Sequence, residues 1–201
     1  MDITTHDALR ALYKPATERA LAKQITRIDA HCARFIALSP FVVISTADAN
    51  GGLDASPRGG VPGFVKVVDA HTLLVPDAPG NNRLDSLSNI VDTGRIGMLF
   101  LLPGVDETLR VNGAAVLTRD PAAIAFCRDD RREPALAIRV RVQEAYLHCA
   151  KSIMRSRLWH EDTRVPRSAL PTMAEMMRDH TGMQVEPESQ EAMAARYRPD
   201  L

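Results

Sequence analysis

Apolar residues return every three or four positions from Thr17 onward, at Ala20, Leu21, Ile25, Ile28, Cys32, Phe35 and Ile36. That spacing marks one buried face of a helix. Pro40 ends the pattern, and Phe41-Val42-Val43-Ile44-Ser45-Thr46 is a β-branched run suited to a buried strand. Asn50-Gly51 favours a tight hairpin turn, since both residues tolerate positive φ, and predicts a return strand over 53–56. Short strands over 64–68 and 72–75 flank the turn Asp69-Ala70-His71. A helix follows over 83–91, with Asn82 as its cap and Asp85 as capping-box partner. Its expected buried stripe is Leu84, Leu87, Ile90 and Val91. Strands over 95–102 and 107–118 pair about Pro103-Gly104, a strong turn signal. Asp120-Pro121 begins a short helix, and 128–134 is a charged, exposed loop.

The longest strand expected spans 135–148, where Leu136, Ile138, Val140 and Val142 alternate with Ala137, Arg139 and Arg141. The phase breaks at Gln143-Glu144, which predicts a bulge or bend. Residues 149–159 read as a helix with Ile153, Met154 and Leu158 buried, and the tail holds helices around 172–180 and 189–196 but no strands. Many short strands with few helical crossovers argue for a barrel over a doubly wound sheet. The expected organisation is one domain, mainly β with flanking helices: a helical segment over 1–39, a barrel core over 40–160 and a helical tail over 161–201.

Composition narrows the function classes. The 201 residues, 45% hydrophobic and 25% charged, describe a soluble globular chain. Lys+Arg and Asp+Glu number 25 each, so no global field favours nucleic acid. No apolar run approaches the ~18–20 residues of a membrane helix, and the start lacks a signal-peptide pattern. Three cysteines (Cys32, Cys127, Cys149) without CxxC spacing argue against a disulfide framework, so a cytoplasmic location is expected. The six histidines show no HxxxH or HExxH spacing, and no metal site is expected. Neither GxSxG nor GxGxxG occurs.

Three groups could carry chemistry. Pro79-Gly80 leads through Asn81, Asn82 and Arg83 into a helix N-terminus, where free amide N–H groups and a guanidinium suit an anion. The competing reading is a capped surface helix with a solvated arginine. In Pro57-Arg58-Gly59-Gly60 the glycines free the backbone to approach a ligand, and Lys66 follows. The competing readings are a turn arginine paired with Asp54 and an outward-facing strand lysine. Lys151, Arg155 and Trp159 recur every four residues and share one face of the 149–159 helix, either as a cationic stripe ending in an aromatic or as a solvated face with an anchor.

With the strands between them, the clusters Asp54-Ala55-Ser56-Pro57-Arg58-Gly59, Pro76 to Leu87 and Glu107 to Gly113 resemble the FMN-binding split-barrel proteins related to pyridoxamine 5'-phosphate oxidase. The resemblance covers roughly residues 41–159. It implies an FMN-binding split β-barrel, a homodimer with flavin in the groove between two barrels, and FMN-dependent oxidation or reduction of a small molecule. It assigns the flavin phosphate to Asn81, Asn82 and Arg83, and Arg58, Gly59 and Lys66 to the ring edge and phosphate. Lys151, Arg155 and Trp159 would come from the second subunit. No side chain is assigned as acid or base. The chain has Asn-Asn where the oxidases carry a Ser-Arg-Lys-like run, and it lacks their Trp-x-Arg-like ending. A haem-binding split barrel, a deazaflavin-binding relative and a structural dimer without cofactor are the rival readings.

Overall fold

The computed structural model describes residues 2–130, 132–184, 186 and 188–200. Arg131, in the charged loop expected over 128–134, lies outside the described residues. Seven antiparallel strands form one sheet: β1 (Phe41–Ala47), β2 (Leu53–Gly59), β3 (Lys66–Asp69), β4 (Thr72–Pro76), β5 (Arg95–Leu102), β6 (Val105–Thr118) and β7 (Ala137–His148). They lie in the order β2-β1-β5-β6-β7-β4-β3, so the two strands joined by residues 60–65 are the two edges. This is the split β-barrel. Its core is filled by alternate residues of the central strands, among them Val42, Ile44, Met98, Phe100, Leu109 and Val140.

β2 runs three residues beyond the expected 53–56 and takes in Pro57, opposite Val43. An edge strand tolerates proline because its outer side needs no ladder donor. β4 is buried on both faces: Leu73 and Val75 enter the barrel, while Leu74 packs with Ala123, Ile124 and Cys127 of α5 (Pro121–Cys127). Its apolar run is continuous for that reason. The phase break expected at Gln143-Glu144 is a bulge. Asn112 pairs with Glu144 but Gly113 with Val142, leaving Gln143 unmatched.

The single helix expected from Thr17 is broken. Helices α1 (His6–Arg10), α2 (Glu18–Ala22) and α3 (Ala30–Leu38) precede the sheet, and Leu21 of α2 is exposed. Between α2 and α3 the chain is extended, and Ile25 exchanges both backbone hydrogen bonds with Ala145 (3.0 and 2.7 Å). β4 pairs with β7 only as far as Arg141, so the rest of that edge has free backbone groups for Ile25 to satisfy. Asp29 then caps α3, accepting from the Cys32 amide at 2.8 Å. That amide holds the Asp29 carboxyl below its usual range. Burial pushes the neighbouring Cys32 thiol up to about 11, so it stays protonated as an apolar filler.

Helix α6 is shorter than expected (Lys151–Ser156), because Arg157 adopts a left-handed conformation (φ 53°) and ends it. Ile153 is buried, but Met154 and Leu158 are exposed, contrary to expectation. Helices α7 (Met173–Thr181) and α8 (Gln190–Tyr197) form the tail, whose one buried apolar residue among those described is Ala174. Among the described residues no helix is long and apolar enough to cross a membrane.

On the outer face of β6 and β7, His148 lies beside Tyr146 (ring centroids 4.9 Å), and its Nε2 is buried without a hydrogen-bond partner among the described residues. Burial, then the charges of Arg110 and Lys23, lower its pKa below 6.5. The unfolded chain therefore takes up this proton first as pH falls. Stability from the neutral imidazole is complete above 6.5 and declines as pH drops through the folded-state value. The melting temperature should fall less between pH 7.5 and 5 in His148→Gln than in the parent. Parallel curves would remove His148 from the acid response.

Candidate functional site

A cleft of about 1160 Å³ opens where the end of β2 meets the loop after β4 and the start of α4 (Asp85–Thr93). Period-two alternation puts Asp54, Ser56 and Arg58 on one half-buried face of β2, toward α4. Of the residues singled out by sequence, Arg58, Gly59, Asn81, Asn82 and Arg83 all line this cleft. Lys66 begins β3 on the opposite edge strand, with residues 60–65 between it and β2. It does not line the cleft itself, but its charge acts on Cys127, which does. Burial pushes the Cys127 thiol up, with Lys66 opposing it, so Cys127 is an apolar wall rather than a nucleophile. Lys151, Arg155 and Trp159 are outside the cleft. Trp159 lies beyond the end of α6, out of phase with the other two, and its indole N–H donates to the Val105 carbonyl at 2.9 Å.

The start of α4 departs from the expected cap. Arg83 is in the loop rather than the helix, the N-cap is Leu84, and no side chain caps it. Asn82 and Leu84 both have left-handed backbones (φ 58° and 61°), and for leucine that conformation costs about 1–2 kcal/mol. The strain comes from reversing the chain tightly between β4 and α4, helped by Asn81 Oδ1, which accepts from the Arg83 amide at 3.1 Å. Leu84 and Val91 are exposed, so the expected apolar stripe is wrong at both ends. The buried face instead carries Ser86, Leu87, Asn89 and Ile90.

The two polar members of that face dock α4 on the sheet. Asn89 Nδ2 donates to Thr46 Oγ1 at 3.0 Å, and Ser86 Oγ donates to Asp54 Oδ2 at 2.5 Å. Thr46, Ser86 and Asn89 are all buried. The amides of Asp85, Ser86 and Leu87 have no acceptor among the described residues, as expected at an uncapped helix start.

Charge in the cleft is mixed: Asp54, Asp77, Asp85 and Asp129 line it with Arg58, Arg83 and Arg132. Arg83 is tied to Asp85 at 2.7 Å in an exposed pair. Arg58 forms no ion pair among the described residues. It donates to Ser56 Oγ, to the Pro57 carbonyl at 3.0 Å and to Ser86 Oγ at 3.5 Å. Its charge is therefore available to an anion. Gly59 is not sterically required, since a Cβ there meets only the Pro40 carbonyl at 3.6 Å. Gly60 is required by packing, because a Cβ would lie 2.7 Å from Phe64. Packing against Phe64 therefore accounts for Gly60, while Gly59 lines the cleft with open space around it. Among the described residues no group of three or more His, Cys, Asp and Glu side chains could hold a metal ion.

The family model described as pyridoxamine 5'-phosphate oxidase matches residues 28–149, more than half of the chain and the whole sheet. The chain belongs to the pyridoxamine 5'-phosphate oxidase family. Among curated proteins none matches the sequence. Among solved structures, HupZ of Group A Streptococcus is similar at 18% identity and a TM-score of 0.50, over 60% of this chain and 93% of that one. An FMN-binding protein of Syntrophomonas wolfei aligns at 14% identity and a TM-score of 0.44, over 58% and 84% of the two chains. A Clostridium acetobutylicum protein related to general stress protein 26 aligns at 12% and 0.40, over 57% and 83%. The HupZ likeness bears on the fold alone. The oxidase-family match ends at Cys149, so α6, Trp159 and the helical tail lie beyond it.

Sequence reasoning missed Asp54, Thr46, Ser86 and Asn89 as a connected group. The signal was present: Ser86 and Asn89 stand three apart on a helix, flanked by Leu87 and Ile90. Polar residues at buried helical spacing need partners, and Asp54 and Thr46 supply them.

Proposed function

We propose that this oxidase-family protein binds FMN in the cleft and serves as an FMN-dependent oxidoreductase for a small molecule. One observation carries the reading: Arg58, which has no ion pair among the described residues, shares the cleft with three amides at the start of α4 that have no acceptor among them. That donor set suits a phosphate group. The strained turn at Asn82 and Leu84 holds the amides in place before any ligand arrives. Arg83 joins the phosphate only by leaving Asp85, an exchange with little penalty because exposed pairs are worth about 0–1 kcal/mol. The flavin, when bound, supplies the electron chemistry; the protein binds the phosphate and orients the ring. The cleft's volume leaves room for a substrate beside it.

The same reading makes the protein a cytoplasmic homodimer in which Lys151 and Arg155, exposed and outside their own cleft, serve the partner's flavin. Titration with FMN and with riboflavin, followed by flavin fluorescence and by sedimentation, tests it. FMN should bind at least about tenfold tighter than riboflavin, since the phosphate adds charge-assisted hydrogen bonds. FMN should also shift the chain toward dimer. Equal affinity for the two flavins would refute the phosphate assignment, and a monomer saturated with FMN would refute the shared site.

A further inference from the structure

Arg58 is held by neutral oxygens, and the nearest link to a carboxylate runs through a serine. Ser86 Oγ accepts from Arg58 Nη2 at 3.5 Å and donates its own proton to Asp54 Oδ2 at 2.5 Å. The same carboxylate oxygen accepts from Thr46 Oγ1 at 3.4 Å, and Thr46 is in turn fixed by Asn89 at 3.0 Å. The chain of contacts therefore runs from buried groups of β1 and α4 out to the guanidinium at the cleft wall. A direct Arg58–Asp54 pair would orient the arginine as well, but it would also neutralise the charge that an anion needs. A turn arginine paired directly with Asp54 is the competing reading of the sequence. The structure puts a hydroxyl between them instead.

We propose that Ser86, itself fixed by Asp54, is a positioning residue that aims Arg58 at a ligand phosphate while keeping its guanidinium out of a direct ion pair, with Ser56 as the second support. This rests on the FMN reading above and adds how the anion anchor is set. A merely structural role for Ser86, docking α4 onto β2, predicts something different. Loss of docking would weaken binding of every flavin alike, because it would loosen the whole wall of the cleft.

The test compares FMN and riboflavin affinities of the full chain, by fluorescence titration, in the parent, Ser86→Ala and Ser56→Ala. Ser86→Ala should lower FMN affinity roughly tenfold, the effect of one hydrogen bond to a charged group, and change riboflavin affinity less than about twofold. Ser56→Ala leaves the contacts of α4 with the sheet in place and should move the FMN-to-riboflavin ratio in the same direction. It carries the test if Ser86→Ala does not fold. A ratio unchanged in both variants, or equal losses for both flavins, would overturn the positioning role while leaving the FMN reading intact. A parent protein that fails to distinguish the two flavins would overturn the FMN reading itself, and the inference with it.

Discussion

Gly113→Ala should destabilise the protein by about 3 kcal/mol or more, at the upper end of what overpacking a core position costs. Gly113 lies in β6, inside the sheet, at the point where the bulge in β7 draws the two backbones together. A Cβ on Gly113 would be 2.3 Å from the Arg141 carbonyl oxygen, 3.0 Å from its carbon and 3.2 Å from Val140 Cγ1. Two of these are backbone atoms, so no rotamer change relieves the contact. The strands must separate along their longest pairing, or the bulge must move. Gly97→Ala is the milder comparison, because its Cβ would meet a side-chain atom rather than backbone, the Asn112 oxygen at 3.1 Å, although the Asn112 amide is held by Glu144 Oε1 at 2.5 Å. It should cost about 1–2 kcal/mol, less than Gly113→Ala. Urea unfolding of the two variants checks both numbers. A Gly113→Ala protein as stable as the Gly97→Ala protein would mean that the bulge does not hold the strands this close.

Arg58→Glu should reduce FMN affinity by about a hundredfold or more. Removing charge-assisted hydrogen bonds to the phosphate accounts for roughly 1.5–3 kcal/mol, and a carboxylate in the same place adds repulsion between two anions. Stability should be little changed. Arg58 is next to last in an edge strand, is half-buried and contributes to no apolar cluster. Riboflavin, lacking the phosphate, should be affected far less. Titration with both flavins, next to a thermal melt, separates a lost anion anchor from a lost fold. Unaltered FMN affinity would take Arg58 out of the site.

The strands were legible because their signals are local. The β-branched run that became β1, the Pro103-Gly104 turn and the phase break at Gln143 each rest on a few neighbouring residues, and each stands where expected. The failures came from long-range partners. The apolar pattern from Thr17 to Ile36 satisfies a helix, but a free edge of β7 more than a hundred residues away captures Ile25 and divides it. Asn82 has the right chemistry for a cap, but a left-handed turn between β4 and α4 moves the helix start two residues on. The candidate site shows the same division. Arg58 and Arg83 stood out as charged residues beside Pro and Gly, and both line the cleft. Asp54, Thr46, Ser86 and Asn89 became a group only when three separate elements met. Which neighbour Arg58 takes could not be read from spacing, since Ser86 lies 28 residues away and only the fold brings its hydroxyl to the guanidinium.

The visible absorption spectrum of the protein as purified, repeated after addition of FMN and removal of the excess, tests the central claim most directly. FMN held in the cleft predicts bands near 370 and 450 nm, roughly the positions of oxidised flavin, either at once or after reconstitution. A Soret band without flavin, or a protein that stays colourless after exposure to FMN, would contradict it.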